Sequence, residues 1–328
     1  MKLLILTHAE IEQLLPMRAC IEVMAEALTA LARGRVQQPQ RMIVRPPEAK
    51  GLLALMPVYR NGSSPAYGLK AICVFPDNPV RGLDAHQGGV LLFDGETGEP
   101  RALMNASAIT AIRTAATSGV ATRLLARADA HELAIIGAGV QARTHLAAMA
   151  CVREIRRARV VSRTSEHARQ LVAEMRPQFS FPVEAVASVE AAVRDADLIV
   201  TATSAHEPVL RREWIAAGAH INAVGTYSPA AREIDSRTMA AASLFVDRRE
   251  SAMIEAGDYV LALNEGAIKS DHIRAEIGEV LTGARQGRTS AGEITLFKSL
   301  GLAVEDLAAA EYLYNQARAR GAGTWVEF

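Results

Sequence analysis

Cysteine is scarce in this 328-residue chain: Cys20, Cys73 and Cys151 stand far apart and form no Cys-x-x-Cys pair. That spacing offers neither a disulfide framework nor a zinc site, and fits buried thiols in a reducing compartment. Charge of one sign is lacking too, since Lys plus Arg and Asp plus Glu both number 36 and the formal net charge is zero. No electrostatic excess favours nucleic acid or an anionic membrane as partner, which leaves a small soluble substrate as the expectation. No apolar run approaches the roughly 20 residues needed to span a bilayer, and an acid, Glu10, stands where a leader would be apolar. The expected location is cytoplasmic. Internal repeats, low-complexity tracts and a disordered tail are also absent from the sequence pattern. The length suits one large domain or two ordinary ones.

Against this background one segment stands out. Leu133 to Ile136 is a short apolar strand running into Gly137-x-Gly139-x-x-Ala142, followed by helical spacing to about Val152. Gly137 permits a tight turn, Gly139 lets the backbone approach a pyrophosphate, and Ala142 keeps the new helix close to the sheet. The helix N-terminus then faces the phosphates. Alone, such a glycine pattern is weak. Here it opens a run of alternating strands and helices: a strand over 158–163, a helix from Ser165, a strand over 183–186, a helix from Ser188, and strands over 198–203 and 220–225. The alternation predicts an α/β, Rossmann-type doubly wound NAD(P)-binding domain.

A further absence bears on the cofactor. A fold that prefers NAD places an Asp or Glu at the end of its second strand, to bind the ribose hydroxyls. This chain has Ser162, Arg163 and Thr164 there, and its first acid is Glu166. A guanidinium and hydroxyls suit a 2′-phosphate, so NADP(H) is favoured, with NAD(H) possible. The alternative is that Arg163 is a surface arginine beside an N-cap serine, Ser165.

Ahead of the nucleotide region the pattern changes. Residues 8–34 show helical spacing through Ile11, Leu14, Leu15, Ile21, Met24, Leu28 and Leu31, with Gly34 as the stop. Strands are expected over 41–44, 52–56, 67–74 and 88–93, separated by turn signals such as Asn61-Gly62 and Asp94-Gly95. They suggest an antiparallel, α+β second domain. A helix over 107–128 links it to the nucleotide fold, and another from Val304 to about Arg320 ends the chain, with its docking place unread. The expected division is residues 1–112, completed by 303–328, for substrate binding and dimerisation, and 113–302 for the nucleotide. Three cations attract attention: Arg41, Lys70 inside an apolar strand, and Arg113 at the start of an Ala-, Thr- and Ser-rich stretch. Each alone reads as a surface charge. Converging, they would clamp a carboxylate by charge-assisted hydrogen bonds.

At these residues the chain resembles the ornithine cyclodeaminase and mu-crystallin family. The resemblance runs in order through Leu55-Met56-Pro57, Gly68-Leu69-Lys70, Ala85-His86-Gln87, Val90 to Phe93, Ile112 to Ala116, Ile136 to Ala142, Val224-Gly225 and Leu296 to Gly301. It implies a homodimer whose first domain supplies the dimer sheet, to which the C-terminal helix returns. It also implies a substrate site of Arg41, Met56, Lys70 and Arg113 beside the nicotinamide. Around the cofactor it implies His86, Gln87, Arg113, Thr114, Ser118, Gly137, Gly139, Val140, Gln141, Ser162, Arg163, Thr164, Thr203, Val224, Gly225 and Ser299. Lys70, Arg113 and Thr226 are the expected catalytic residues.

The resemblance embraces cyclodeaminases, an alanine dehydrogenase, imine reductases and hormone-binding mu-crystallins. Two departures bear on the choice. Where the cyclodeaminase pattern has a Glu for the distal ammonium of ornithine this chain has Ala54, and where it has an acid/base Asp this chain has Thr226. An unpaired ammonium in a closed pocket is costly, and a missing base leaves proton removal unassisted. An imine beside a carboxylate is already electrophilic and asks mainly for anchoring and presentation. The expectation is an NADP-dependent reductase of ketimine or imino acids. The alternatives are ornithine cyclodeamination, an alanine-type amino-acid dehydrogenase, and a non-enzymatic NADP-binding protein like mu-crystallin; a compensating acid from another loop would revive the first.

Overall fold

Pro16 divides the amphipathic segment 8–34 into two helices where its spacing predicts one. In the computed structural model, which describes residues 2–328, α1 is His8–Leu14 and α2 is Met17–Ala32. Proline lacks the N–H that an unbroken helix would need and clashes with the preceding turn, so the chain restarts with Pro16 as N-cap. A capping box between Thr7 and Glu10 opens α1: the Thr7 N–H donates to Glu10 Oε2 at 2.8 Å, and the Glu10 N–H to Thr7 Oγ1 at 3.4 Å. The expected apolar face survives the break, since Ile11, Leu14, Ile21, Met24, Leu28 and Leu31 are all buried.

The chain falls into two compact units, residues 1–113 with 301–328, and residues 114–300. Arg113 thus lies in the first, one residue beyond the expected boundary. The strands of the first unit are β1 (Lys2–Leu6), β2 (Val36–Gln37), β3 (Met42–Val44), β4 (Leu52–Arg60), β5 (Ala66–Val74), β6 (His86–Asp94) and β7 (Pro100–Asn105). With a C-terminal strand, Thr324–Glu327, they form one sheet in the order C-terminal strand, β1, β7, β6, β5, β4, β2, and β3 also pairs with β4. All ladders are antiparallel except β1 with β7. Alternation along β4, β5 and the second half of β6 buries one face, including Met56, Ile72, Val90 and Leu92. The C-terminal helix, Ala303–Arg320, packs there against β4, β5, β6 and α2, which answers the docking question its pattern leaves open. Lys70 sits on this covered face, in register with Met56 on β4 and Val90 on β6.

Helix α3 (Ala106–Leu125) leads into the second unit. There the strands are β8 (Glu132–Ile136), β9 (Arg157–Val161), β10 (Val183–Ala185), β11 (Leu198–Thr201), β12 (His220–Ala223), β13 (Ser243–Val246), β14 (Ile273–Glu276) and β15 (Thr295–Lys298). They make an all-parallel sheet in the order β10-β9-β8-β11-β12-β15-β13-β14. Near-continuous apolar runs such as Leu133 to Ile136 and Leu198 to Val200 are buried on both sides, as a sheet covered by helices on both faces requires. The chain builds outward from β8 to β9 and β10, then returns to place β11 on the other side of β8. That reversal is the topological switch point of a Rossmann-type sheet, where ligands meet the C-terminal strand ends. Among the described residues no helix is long and apolar enough to cross a membrane.

Candidate active site

In the first unit the structure brings the three cations together. Lys70 is 2% exposed, and its Nζ lies 2.7 Å from Asp306 Oδ2. Arg113, also buried, donates from Nε to Asp306 Oδ1 at 3.2 Å and from Nη1 to Glu305 Oε2 at 2.8 Å. Arg41 donates from Nη2 to the carbonyl of Gly301 at 3.0 Å. Gly301 closes the triangle, because a Cβ there would lie 2.5 Å from Arg113 Nη1, and its φ of +80° is a left-handed value that glycine alone adopts freely. Asp306 and Glu305 come from the first turn of the C-terminal helix, where carboxylates also suit the helix dipole. Sequence reasoning missed both acids. Their only local signal is adjacency at a helix start, which normally reads as solvated N-terminal charge.

The Lys70 ammonium and the Arg41 and Arg113 guanidiniums thus gather about the Gly301 to Asp306 segment, an arrangement of donors that suits an anion. Burial, and the nearby Arg113 and Arg41 charges, bring Lys70 down to about 8 against the opposing pull of Asp306. Met56 is Lys70's buried neighbour in register. His86, the first residue of β6, is lowered by burial and by Lys70 and Arg113, with Asp84 acting the other way. Gln87 is exposed, with Nε2 donating to the Asp84 carbonyl at 2.9 Å.

In the second unit the glycine turn joins β8 to α4 (Val140–Val152), with Gly139 as N-cap. Gly137 has φ +120°, and a Cβ there would lie 2.3 Å from the Ala202 carbonyl oxygen, so the turn admits only glycine. A Cβ on Gly139 would meet nothing within 4 Å, so open space faces the helix N-terminus where a diphosphate would approach. Val140 and Gln141 form the first turn. Ser162, Arg163 and Thr164 follow β9, with Arg163 and Thr164 exposed. Thr114 and Ser118 are buried on α3, and Ser118 Oγ lies 2.9 Å from His145 Nε2, a histidine that burial lowers to about 4 and so keeps neutral. Ser299 Oγ is buried and meets no hydrogen-bond partner within the chain, the condition of a hydroxyl that awaits a ligand. Together the open glycine turn and this orphaned hydroxyl fit a dinucleotide.

Thr203, Val224, Gly225 and Thr226 follow β11 and β12. Thr226, expected among the catalytic residues, commits its hydroxyl to partners within the chain. Its Oγ1 donates to Asp258 Oδ2 at 3.0 Å, and Lys298 Nζ donates to its carbonyl at 2.7 Å and lies 3.1 Å from Oγ1. Lys298 and Asp258 are both 0% exposed and pair at 2.8 Å. Burial works to raise Asp258, but the Lys298 ammonium and the amides of Ile234 and Glu233 outweigh it and hold the carboxyl below its usual range. An acid from another loop, Asp258, therefore does stand beside Thr226. It is ionised and fully engaged, with Oδ1 taken by the Glu233 and Ile234 N–H groups at 2.7 and 2.9 Å, which leaves it no lone pair directed at a substrate proton. Ala54 stays buried on β4 opposite Ile72, without an acid in its place.

Comparison with known proteins agrees with this geometry. The model of the ornithine cyclodeaminase/mu-crystallin family matches residues 1–321. A Delta(1)-pyrroline-2-carboxylate reductase of Bacillus cereus is 38% identical over 327 residues, covering 99% of this chain and 100% of that protein. The structure of Thermococcus litoralis Delta(1)-pyrroline-2-carboxylate reductase, in complex with NADH and L-proline, has a TM-score of 0.95 at 40% identity, covering 98% of this chain and 99% of that one. An archaeal alanine dehydrogenase dimer with bound NAD has a TM-score of 0.93 at 34% identity over 100% of both chains. The chain belongs to the ornithine cyclodeaminase/mu-crystallin family.

Proposed function

We propose that the protein is an NAD(P)H-dependent reductase of cyclic imino acids, with a five-membered ketimine carboxylate as its substrate class. The observation that carries this reading is the convergence of the buried Lys70 and Arg113 with the half-buried Arg41 on the segment from Gly301 to Asp306. A substrate carboxylate would accept from these donors, and Glu305 and Asp306 hold the Arg113 guanidinium plane so that binding costs little reorganisation. The relatives named for Delta(1)-pyrroline-2-carboxylate support a five-membered ring. The dinucleotide supplies the hydride when bound. Lys70 donates a proton to the imine nitrogen: near 8, its ammonium is populated at neutral pH yet gives up its proton readily. Ornithine cyclodeamination is disfavoured because Ala54 offers no counter-charge for a distal ammonium and Asp258 is committed to Lys298.

NADPH is the preferred reductant on this reading, through Arg163, and the working form is a homodimer joined by the uncovered face of the first unit's sheet. The test is a parallel assay of five- and six-membered cyclic ketimine carboxylates with NADPH and NADH, beside ornithine with NAD and ammonia detection. The five-membered substrate is expected to be turned over fastest. Its kcat/KM should fall as pH rises through about 8, where the Lys70 ammonium is lost in the free enzyme. Proline and ammonia from ornithine without imine reduction would overturn the assignment, and stoichiometric NADPH binding without turnover across the panel would make the chain a binding protein.

A further inference from the structure

Glu233 belongs to no strand or helix, yet its side chain is 0% exposed. Four donors converge on it. The Thr203 N–H and Thr203 Oγ1 donate to Oε1, both at 2.7 Å, while Thr201 Oγ1 and the Gly225 N–H donate to Oε2 at 2.9 and 2.7 Å. These donors come from the ends of two adjacent parallel strands. The β11–β12 register stops at Thr201 opposite Ala223, and one more bond, from the Val224 N–H to the Thr201 carbonyl at 2.9 Å, closes the ladder. Beyond that point the two loops have no ladder between them, and the Glu233 carboxylate takes its place as a common acceptor. The loops are in direct contact there: a Cβ on Gly225 would lie 2.1 Å from the Thr203 carbonyl oxygen.

Glu233 is itself fixed from behind. Its N–H and that of Ile234 donate to Asp258 Oδ1, and Asp258 Oδ2 holds Thr226 and Lys298, the residue before Ser299. One chain of buried hydrogen bonds thus joins the ends of β11, β12 and β15. Sheet order gives these ends a common address. The glycine turn follows β8 and Arg163 follows β9, so the phosphates and the adenosine ribose belong to β8 and to its β9 side, while β11, β12 and β15 lie on the opposite side of β8.

We propose that Glu233 is a positioning residue for the nicotinamide half of the dinucleotide, setting the spacing of the Thr203 and Gly225 loops while leaving the adenosine half untouched. The proposal rests on reading the second unit as the dinucleotide site. Replacing the carboxylate by an amide leaves one good acceptor for four donors and turns an N–H against one of the loops, without changing side-chain volume.

The test compares NADPH with 2′-phospho-ADP-ribose, which lacks the nicotinamide, by titration against the wild type and Glu233→Gln. NADPH affinity is expected to weaken by about tenfold, the loss of one charge-assisted bond, with 2′-phospho-ADP-ribose affinity within about twofold of wild type. In steady state the KM for NADPH should rise and kcat fall while the KM for the imino acid holds. Thr201→Val, which removes a single tether, serves if the amide variant fails to fold, and should show the same selectivity at a smaller fold-change. Equal weakening of both ligands, or no change in either, would overturn the positioning role. Failure of the wild type to bind either ligand would instead overturn the dinucleotide reading beneath it.

Discussion

Arg163 shows how one side chain can be plain in a sequence while its partner is not. It stands exposed after β9, where a carboxylate would mark an NAD site. Replacing it by Ala should weaken NADPH by about 1.5–3 kcal/mol, the value of a hydrogen bond to a charged group, and NADH hardly at all. Equal losses for the two cofactors in a fluorescence titration would remove Arg163 from phosphate recognition. The other functional side chains divide by the same rule. Gly137, Gly139, Lys70 and Arg113 were legible because each breaks a local pattern: glycines at a strand end, a cation within an apolar strand, an arginine among small residues. Asp306, Asp258 and Glu233 break none. They act on residues 236, 32 and 30 positions away, namely Lys70, Thr226 and Thr203, and nothing in their own neighbourhoods announces it.

At the scale of elements, legibility follows length and the turn signals or strand–helix alternation around a segment. Strands β4, β5 and β6 each run nine residues, and turn signals such as Asn61-Gly62 and Asp94-Gly95 announce them, although β4 continues past Pro57 to Arg60, beyond its expected end at Met56. Strands β13, β14 and β15 have four residues each, too few for periodicity to separate strand from buried helix or loop, whereas the equally short β11 and β12 were legible through the alternation of strand and helix that the glycine turn opens. The break at Pro16 was hidden because the apolar face continues across it, so amphipathic spacing outweighed the proline signal. The start of the C-terminal helix carries a sharper consequence. Gly301 sits just before it, in a left-handed conformation and against the Arg113 guanidinium. Gly301→Ala adds about 1–2 kcal/mol of backbone strain and pushes that guanidinium out of its pairing with Glu305 and Asp306. The KM for the imino acid should rise by about tenfold or more, as expected when a two-point contact worth about 1.5–3 kcal/mol is misaligned, while NADPH affinity stays near wild type. An unchanged KM would mean that Arg113 does not hold the carboxylate.

At the scale of the whole molecule, the first unit's sheet has one face under the C-terminal helix and α2, and another left apolar. Tyr59 and Tyr67 pair across β4 and β5 with ring centroids 4.6 Å apart, and Phe93 lies opposite Tyr67 on β6. Next to this row run Pro57, Leu69, Leu91 and Leu103, in register over β4, β5, β6 and β7. Tyr67 and Leu103 remain 48% and 37% exposed. A contiguous apolar face of this kind is unusual for a surface that meets only water, and a second copy packed sheet on sheet would cover it. A formal net charge of zero puts no electrostatic barrier between copies. If the face is the dimer interface it should bury on the order of 1,600 Å² or more, enough for a stable complex. Sedimentation should then give a dimer for the wild type and a monomer for the double variant Tyr67→Lys with Leu103→Arg, because two unpaired cations on each copy cannot be desolvated against their counterparts. NADPH binding should persist in the monomer, since both substitutions lie in the first unit, whereas the nucleotide turn belongs to the second. A wild type that sediments as a monomer, or a double variant that remains dimeric, would remove this face from assembly and leave its apolar rows to another partner.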